Sequence, residues 1–133
     1  MSYDFELVCD LPASPQEVYE AWLSSAGHSA MTGAKAKASK KVGAAYSAWD
    51  GYIVGRNLAV DPGRRIVQSW RTSEFADDDP DSTITVELTP LGAGTRLTLR
   101  HAGVPDGQTA YEKGGWREFY FEPMQAYFAR RAT

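Results

Sequence analysis

Ser82-Thr83-Ile84-Thr85-Val86-Glu87-Leu88-Thr89 and, beyond the turn Gly92-Ala93-Gly94, Thr95-Arg96-Leu97-Thr98-Leu99-Arg100-His101 decide the fold. In the first run Ile84, Val86 and Leu88 alternate with Thr83, Thr85, Glu87 and Thr89; in the second, Thr95, Leu97 and Leu99 alternate with Arg96, Thr98 and Arg100. Period-two alternation across a glycine turn predicts paired antiparallel strands with one apolar and one wet face. Upstream, Asp61-Pro62-Gly63 is a turn leading into a strand at Arg65 to Arg71. Trp49-Asp50-Gly51-Tyr52 sets Asp-Gly between apolar runs, a hairpin signal. Ala34 to Lys41 alternates alanines with Lys35, Lys37 and Ser39 and reads as an edge strand.

The two ends of the chain add helices. Tyr3 to Asp10 alternates as a first strand with Cys9 facing inward. Ser14-Pro15-Gln16-Glu17 is a capping box with proline at the first helical position. Val18 and Trp22, with Tyr19 and Leu23, form the apolar stripe of that helix, and Gly27 marks a break before a short segment holding His28 and Met31. At the carboxy end, Trp116, Phe119, Tyr120, Met124, Tyr127 and Phe128 recur at spacings of three and four, an amphipathic helix that must cover something apolar. Gly114-Gly115 should loosen its first turn, and Pro123, which has no N–H to donate, should kink it. One α+β domain over residues 1–133 is expected: a curved antiparallel sheet of six or seven strands wrapped around a long C-terminal helix, with two short helices after the first strand.

Bulk composition narrows the function classes. The 133 residues are 43% hydrophobic and 23% charged, with a net charge of -3, which provides no field to attract nucleic acid. One cysteine allows no internal disulfide, and no paired Cys/His spacing suggests zinc. No apolar run approaches a membrane span, and the acidic start Tyr3-Asp4-Phe5-Glu6 is unlike a signal peptide, so the cytoplasm is the expected location. Asp77, Asp79 and Asp81 begin like a calcium loop, but Ser82 and Leu88 stand where its glycine and glutamate belong. Lys35, Lys37, Lys40 and Lys41 are a basic patch without interleaved aromatics.

The stretches Leu11-Pro12-Ala13-Ser14-Pro15-Gln16-Glu17-Val18, Asp50-Gly51-Tyr52, Arg65-Ile66-Val67-Gln68-Ser69-Trp70-Arg71, Gly94 to His101 and Gly115-Trp116 resemble, in order and spacing, the Hsp90-ATPase-activator-homologue group of the START-like superfamily. That resemblance implies the helix-grip fold and a pocket between the last helix and the sheet, which in related families holds lipids, hormones or aromatic polyketides and in a few cases does chemistry. It predicts shape better than activity. Stimulation of the Hsp90 ATPase by the group's eukaryotic namesake depends on a separate amino-terminal domain with an Asn- and Trp-rich motif that these residues do not contain.

No nucleophile elbow, phosphate loop, dinucleotide fingerprint or H-E-x-x-H motif is present, and no cofactor or metal is expected. The leading expectation is non-covalent binding of a small apolar or aromatic molecule by Met31, Tyr46, Trp49, Trp70, Leu97, Leu99, His101, Trp116, Phe119, Tyr120 and Met124, a set that would serve equally as core packing. A first rival is a cyclase-, aromatase- or hydrolase-like enzyme in which His101 or His28 is acid or base and Arg71 or a tyrosine polarises a carbonyl. His101 shares the inward parity of Leu97 and Leu99; the alternative is a histidine satisfied by a backbone carbonyl. His28 lies either at a pocket entrance or on an exposed loop. A second rival is an interaction domain contacting a chaperone through its outer surface. The chain is expected to be a monomer or weak homodimer, with no nucleic-acid or membrane partner.

Overall fold

Alternation along the chain becomes pairing in space. The computed structural model describes residues 2–131. Strands β1 (Ser2–Leu11), β2 (Ala45–Ala48), β3 (Ile53–Asp61), β4 (Arg65–Thr72), β5 (Ser82–Leu91) and β6 (Gly94–Pro105) form one curved six-stranded sheet in the order β1-β6-β5-β4-β3-β2, antiparallel throughout. Helices α1 (Pro15–Trp22) and α2 (Ser25–Thr32) follow β1, and the C-terminal helix closes the inner face. The inward residues pair as the period predicts: Val86 meets Leu99 and Leu88 meets Leu97 across the β5–β6 hairpin, and all four are buried. Outward, Arg96 pairs with Asp10, and Arg100 with Glu6 and Glu87, on the wet face.

The capping box at Ser14 is formed in both directions. Gly27, however, does not break a helix. It lies inside α2, whose N-cap is Ser24, because a Cβ there would stand 2.7 Å from Ala21 Cα; glycine is what lets α2 pack tightly on α1. The edge strand expected at Ala34 to Lys41 is also absent apart from a single bridge, Lys37 to Ser47. The backbone of Ala36 and Ala38 bonds instead to the hydroxyls of Ser29 and Ser25, one turn apart on α2, so the segment becomes a strap between helix and sheet. Alanines alternating with lysines offer too little apolar area to hold a strand against that competition.

The C-terminal helix opens with two π-helical turns, Tyr111–Gly115 and Arg117–Phe121, before α3 (Glu122–Arg131). The amides of Trp116 and Glu122 reach back five residues to the carbonyls of Tyr111 and Arg117. The loosening expected at Gly114-Gly115 thus takes π form. Pro123 follows the second π turn directly, within a continuous helix, where its missing N–H removes one backbone hydrogen bond, so it marks the change from π to α geometry.

A buried polar chain fixes the helical layer to the sheet. Trp22 Nε1–H donates to Gln68 Oε1 at 3.1 Å, Gln68 Nε2–H donates to Asn57 Oδ1 at 2.9 Å, and Asn57 Nδ2–H donates to the strap carbonyls of Ser39 and Lys41. Gln68 and Asn57 are 2% and 1% exposed, so water cannot substitute for a lost partner. Replacing Gln68 with Met keeps its length but strands one donor and one acceptor. We expect a loss of about 2–4 kcal/mol in urea unfolding, with the strap amides around Ser39 losing hydrogen-exchange protection.

Candidate functional site

Both histidines lie in the interior with both ring nitrogens engaged. His101 is fully buried, in register between Phe5 and Ile84. Trp116 Nε1–H donates to its Nδ1 at 3.1 Å. Ser82 Oγ donates to the Trp70 carbonyl, so at 2.9 Å from His101 Nε2 it is the acceptor, and the ring is the neutral Nε2–H tautomer. Burial pushes its pKa down from 6.5 to about 3, with Asp4 opposing weakly. His28 is the opposite tautomer: its Nδ1–H donates to the Trp22 carbonyl at 2.9 Å and its Nε2 accepts from Tyr120 at 2.8 Å. Desolvation lowers its pKa as well. Neither ring reaches the large cleft described below, and neither keeps a free nitrogen for a substrate.

That cleft, about 900 Å³, opens between the β2–β3 loop, the end of β4, the loop before the C-terminal helix, and the π-helical turns. Its aromatic wall is Trp49, Trp70, Tyr111, Trp116, Phe119 and Tyr120. Trp70 is the hub: the rings of His101, Tyr111, Trp116 and Phe75 stand 4.6, 5.0, 5.6 and 6.1 Å from it. Tyr46 reaches over β3 to the Ser69 carbonyl at 2.6 Å, and only a glycine at position 55 leaves room, since a Cβ there would lie 1.9 Å from the Ser69 oxygen. At one end the lining turns polar. Tyr52 donates to Glu74, Tyr111 donates to Gln108 Oε1 at 3.0 Å and pairs with Thr72, and Gln108 donates to the Glu74 carbonyl. Burial, then the Glu74 carboxylate, raises the Tyr52 pKa, so it stays a phenol.

Of the residues singled out from sequence, Trp49, Trp70, Trp116, Phe119 and Tyr120 meet at this cleft. Tyr46, His28 and Tyr120 also border a void of about 10 Å³, room for one water. Met31, Leu97, Leu99, His101 and Met124 are in the core and do not line the cleft. Arg71 faces elsewhere: it binds Asp81 at 2.6 Å and the carbonyls of Ala76 and Asp79, organising the acidic loop around its guanidinium. Sequence reasoning missed Tyr52, Glu74, Gln108 and Tyr111. Only Tyr111 left a signal, five residues before Trp116, a π-helical spacing that a search at three and four passes over. Among the described residues no acidic, His or Cys cluster suits a metal, and no helix is long and apolar enough to cross a membrane. Cys9 is buried and its thiol is pushed up to about 12, chiefly by desolvation, so it is unreactive.

Residues 12–129 match the family model described as Activator of Hsp90 ATPase homolog 1-like protein. An uncharacterised protein of Schizosaccharomyces pombe is 28% identical over 119 residues, covering 90% of this chain and 34% of its own length. The human activator of 90 kDa heat shock protein ATPase homolog 1 is 26% identical over 115 residues, 86% of this chain and 34% of the human protein. The chain therefore spans about a third of the length of these curated relatives. The crystal structure of an Hsp90 activator from Plasmodium falciparum superposes with a TM-score of 0.84 at 23% identity, covering 93% of this chain and 94% of that one.

The two neutral histidines carry a stability signature. Below pH 6.5 the unfolded chain protonates His101 while the folded ring, held near 3, does not. The unfolded state then binds more protons, so His101 lowers folding stability by about 1.4 kcal/mol per pH unit as pH falls through that window, and His28 acts with the same sign. In urea unfolding between about pH 4 and 6.5, His101→Asn should be less stable than the parent but show a pH slope shallower by about one proton. An unchanged slope would mean the folded imidazole titrates normally.

Proposed function

The chain belongs to the family of Activator of Hsp90 ATPase homolog 1-like proteins, and from that premise we propose that it binds a small, flat, apolar or aromatic molecule in the cleft between its C-terminal helix and its sheet. The observation that carries this reading is the cleft: about 900 Å³ lined by seven aromatic side chains, with polar groups gathered at one end. Its size and lining are those of small-molecule sites, in which apolar walls supply affinity and a few polar groups supply orientation. A closed core of the same composition would have buried Phe119, which is instead 50% exposed at the rim. Lining this cavity are five residues read from sequence, Trp49, Trp70, Trp116, Phe119 and Tyr120, joined by Tyr52 and Tyr111. A cytoplasmic setting suits the single unpaired thiol.

A second reading has its own support. The human relative is called an activator of the Hsp90 ATPase, and Val54 and Leu58 are 41% and 49% exposed on the outer face of β3, where a chaperone surface would meet them. Titration with Hsp90 tests it, and Val54→Asp should weaken any complex by more than tenfold if that face is the contact.

The cleft reading is tested by titrating anilinonaphthalene sulfonate and by native mass spectrometry of protein purified from its own cells. We expect saturable binding at one site, an apolar molecule released on denaturation, and at least tenfold weaker probe binding by Ala110→Trp, which fills the cleft from its exposed rim without touching the core. Probe binding unaffected by Ala110→Trp, or none at all, overturns the reading.

A further inference from the structure

Trp49 departs from two local rules at once. Its φ is 52°, in the left-handed region where a side chain with a Cβ is strained, and it begins a run in which Asp50 and Gly51 are also positive. Its indole Nε1–H is buried without a partner, alone in this among the described side chains. It also stands in the cleft wall, where its neighbour Trp116 is supplied with an acceptor, His101, just as Trp22 in the core is supplied with Gln68. A desolvated donor with no acceptor is destabilising, and native folds leave few of them. Backbone strain and an orphaned donor meeting at the edge of a cavity point to a group that arrives from outside the chain.

Resting on the cleft as a binding site, we propose that the Trp49 Nε1–H is its recognition donor, and that the cleft selects planar aromatic molecules bearing a neutral hydrogen-bond acceptor, such as a ring ketone, over hydrocarbons of the same shape. The acceptor is neutral because Glu74 and Glu118 outnumber Lys113 around the cleft and would repel a carboxylate. Phe119 is the neighbour that yields. Its ring stands edge to face on the Trp49 indole at 5.2 Å, it is half exposed, and it rides on a π-helical turn, so its rotation exposes the covered N–H to the ligand oxygen.

Fluorenone and fluorene differ only by a carbonyl in place of a methylene, and their dissociation constants can be compared by tryptophan quenching in the parent protein and in Trp49→Phe. The parent should bind fluorenone about tenfold more tightly, as one buried hydrogen bond predicts. In Trp49→Phe, which keeps an aromatic ring and loses the N–H, the preference should fall to within about twofold while fluorene binding changes little. An undiminished preference in Trp49→Phe, or equal affinities in the parent, overturns the donor role and leaves the cleft reading standing; failure of both compounds to bind the parent removes the cleft reading and this inference together. Should Trp49→Phe not fold, the unmutated protein still decides. Of its four indole N–H resonances, one should move downfield with fluorenone and not with fluorene, and the absence of such a difference refutes the proposal.

Discussion

The hydrogen bond from the Trp116 indole to His101 is the contact on which the rest of the arrangement depends. It joins the C-terminal helix to β6, and it lies between the two π-helical turns, Tyr111–Gly115 and Arg117–Phe121. A π turn carries one more residue than an α turn, which brings side chains five apart onto one face. Tyr111 and Trp116 therefore both face Trp70, at 5.0 and 5.6 Å. With Trp116 pinned to His101 on β6, the widened turns border the cleft without filling it.

The interior beneath the cleft is held by directional polar chains. One runs from Trp116 through His101 and Ser82 to the Trp70 carbonyl; a second joins the Trp22 carbonyl, His28 and Tyr120; a third joins the Trp22 indole to Gln68, Asn57 and the strap. In each, every donor group has an acceptor, and both imidazoles are confined to a single neutral tautomer. Apolar packing alone would permit sliding of the helix along the sheet; these chains admit one register, because any shift leaves a buried group unpaired at a cost comparable to a large mutation. His101, the first choice for acid-base chemistry from its type and parity, has both ring nitrogens engaged in the first of these chains.

Legibility from the sequence followed the physics of each element. Ile84, Val86, Leu88, Leu97 and Leu99 could be placed inside because a strand's period is strict and large apolar residues leave no alternative face. The capping box at Ser14 is a local device and was visible for that reason. Residues 34–41 misled because their alternation involves alanine, and the deciding bonds come from Ser25 and Ser29, outside the segment. The aromatic wall was read in good part, since Trp49, Trp70, Trp116, Phe119 and Tyr120 are conspicuous as residue types. Its polar end was not: Tyr52, Glu74 and the neighbouring pair Gln108 and Tyr111 come from three separate stretches of chain that meet only when the sheet curves, and no local pattern records that closure.

The contrast between the interior and the cleft's edge argues for function where it falls. Local preference, packing and hydrogen bonding agree through β5, β6 and α1, as expected of a sequence with one dominant native arrangement. The disagreements gather on one side of the molecule: a tryptophan with positive φ, an indole N–H without an acceptor, a half-exposed phenylalanine, and a helix wound in π form. Scattered singly, each would be a tolerated defect. All of them border the same 900 Å³ cleft, while among the described residues no other fully buried side-chain nitrogen or oxygen lacks a partner, so a chain able to satisfy Trp22, Trp116 and both histidines has left Trp49 unsatisfied at the place where a bound molecule would satisfy it.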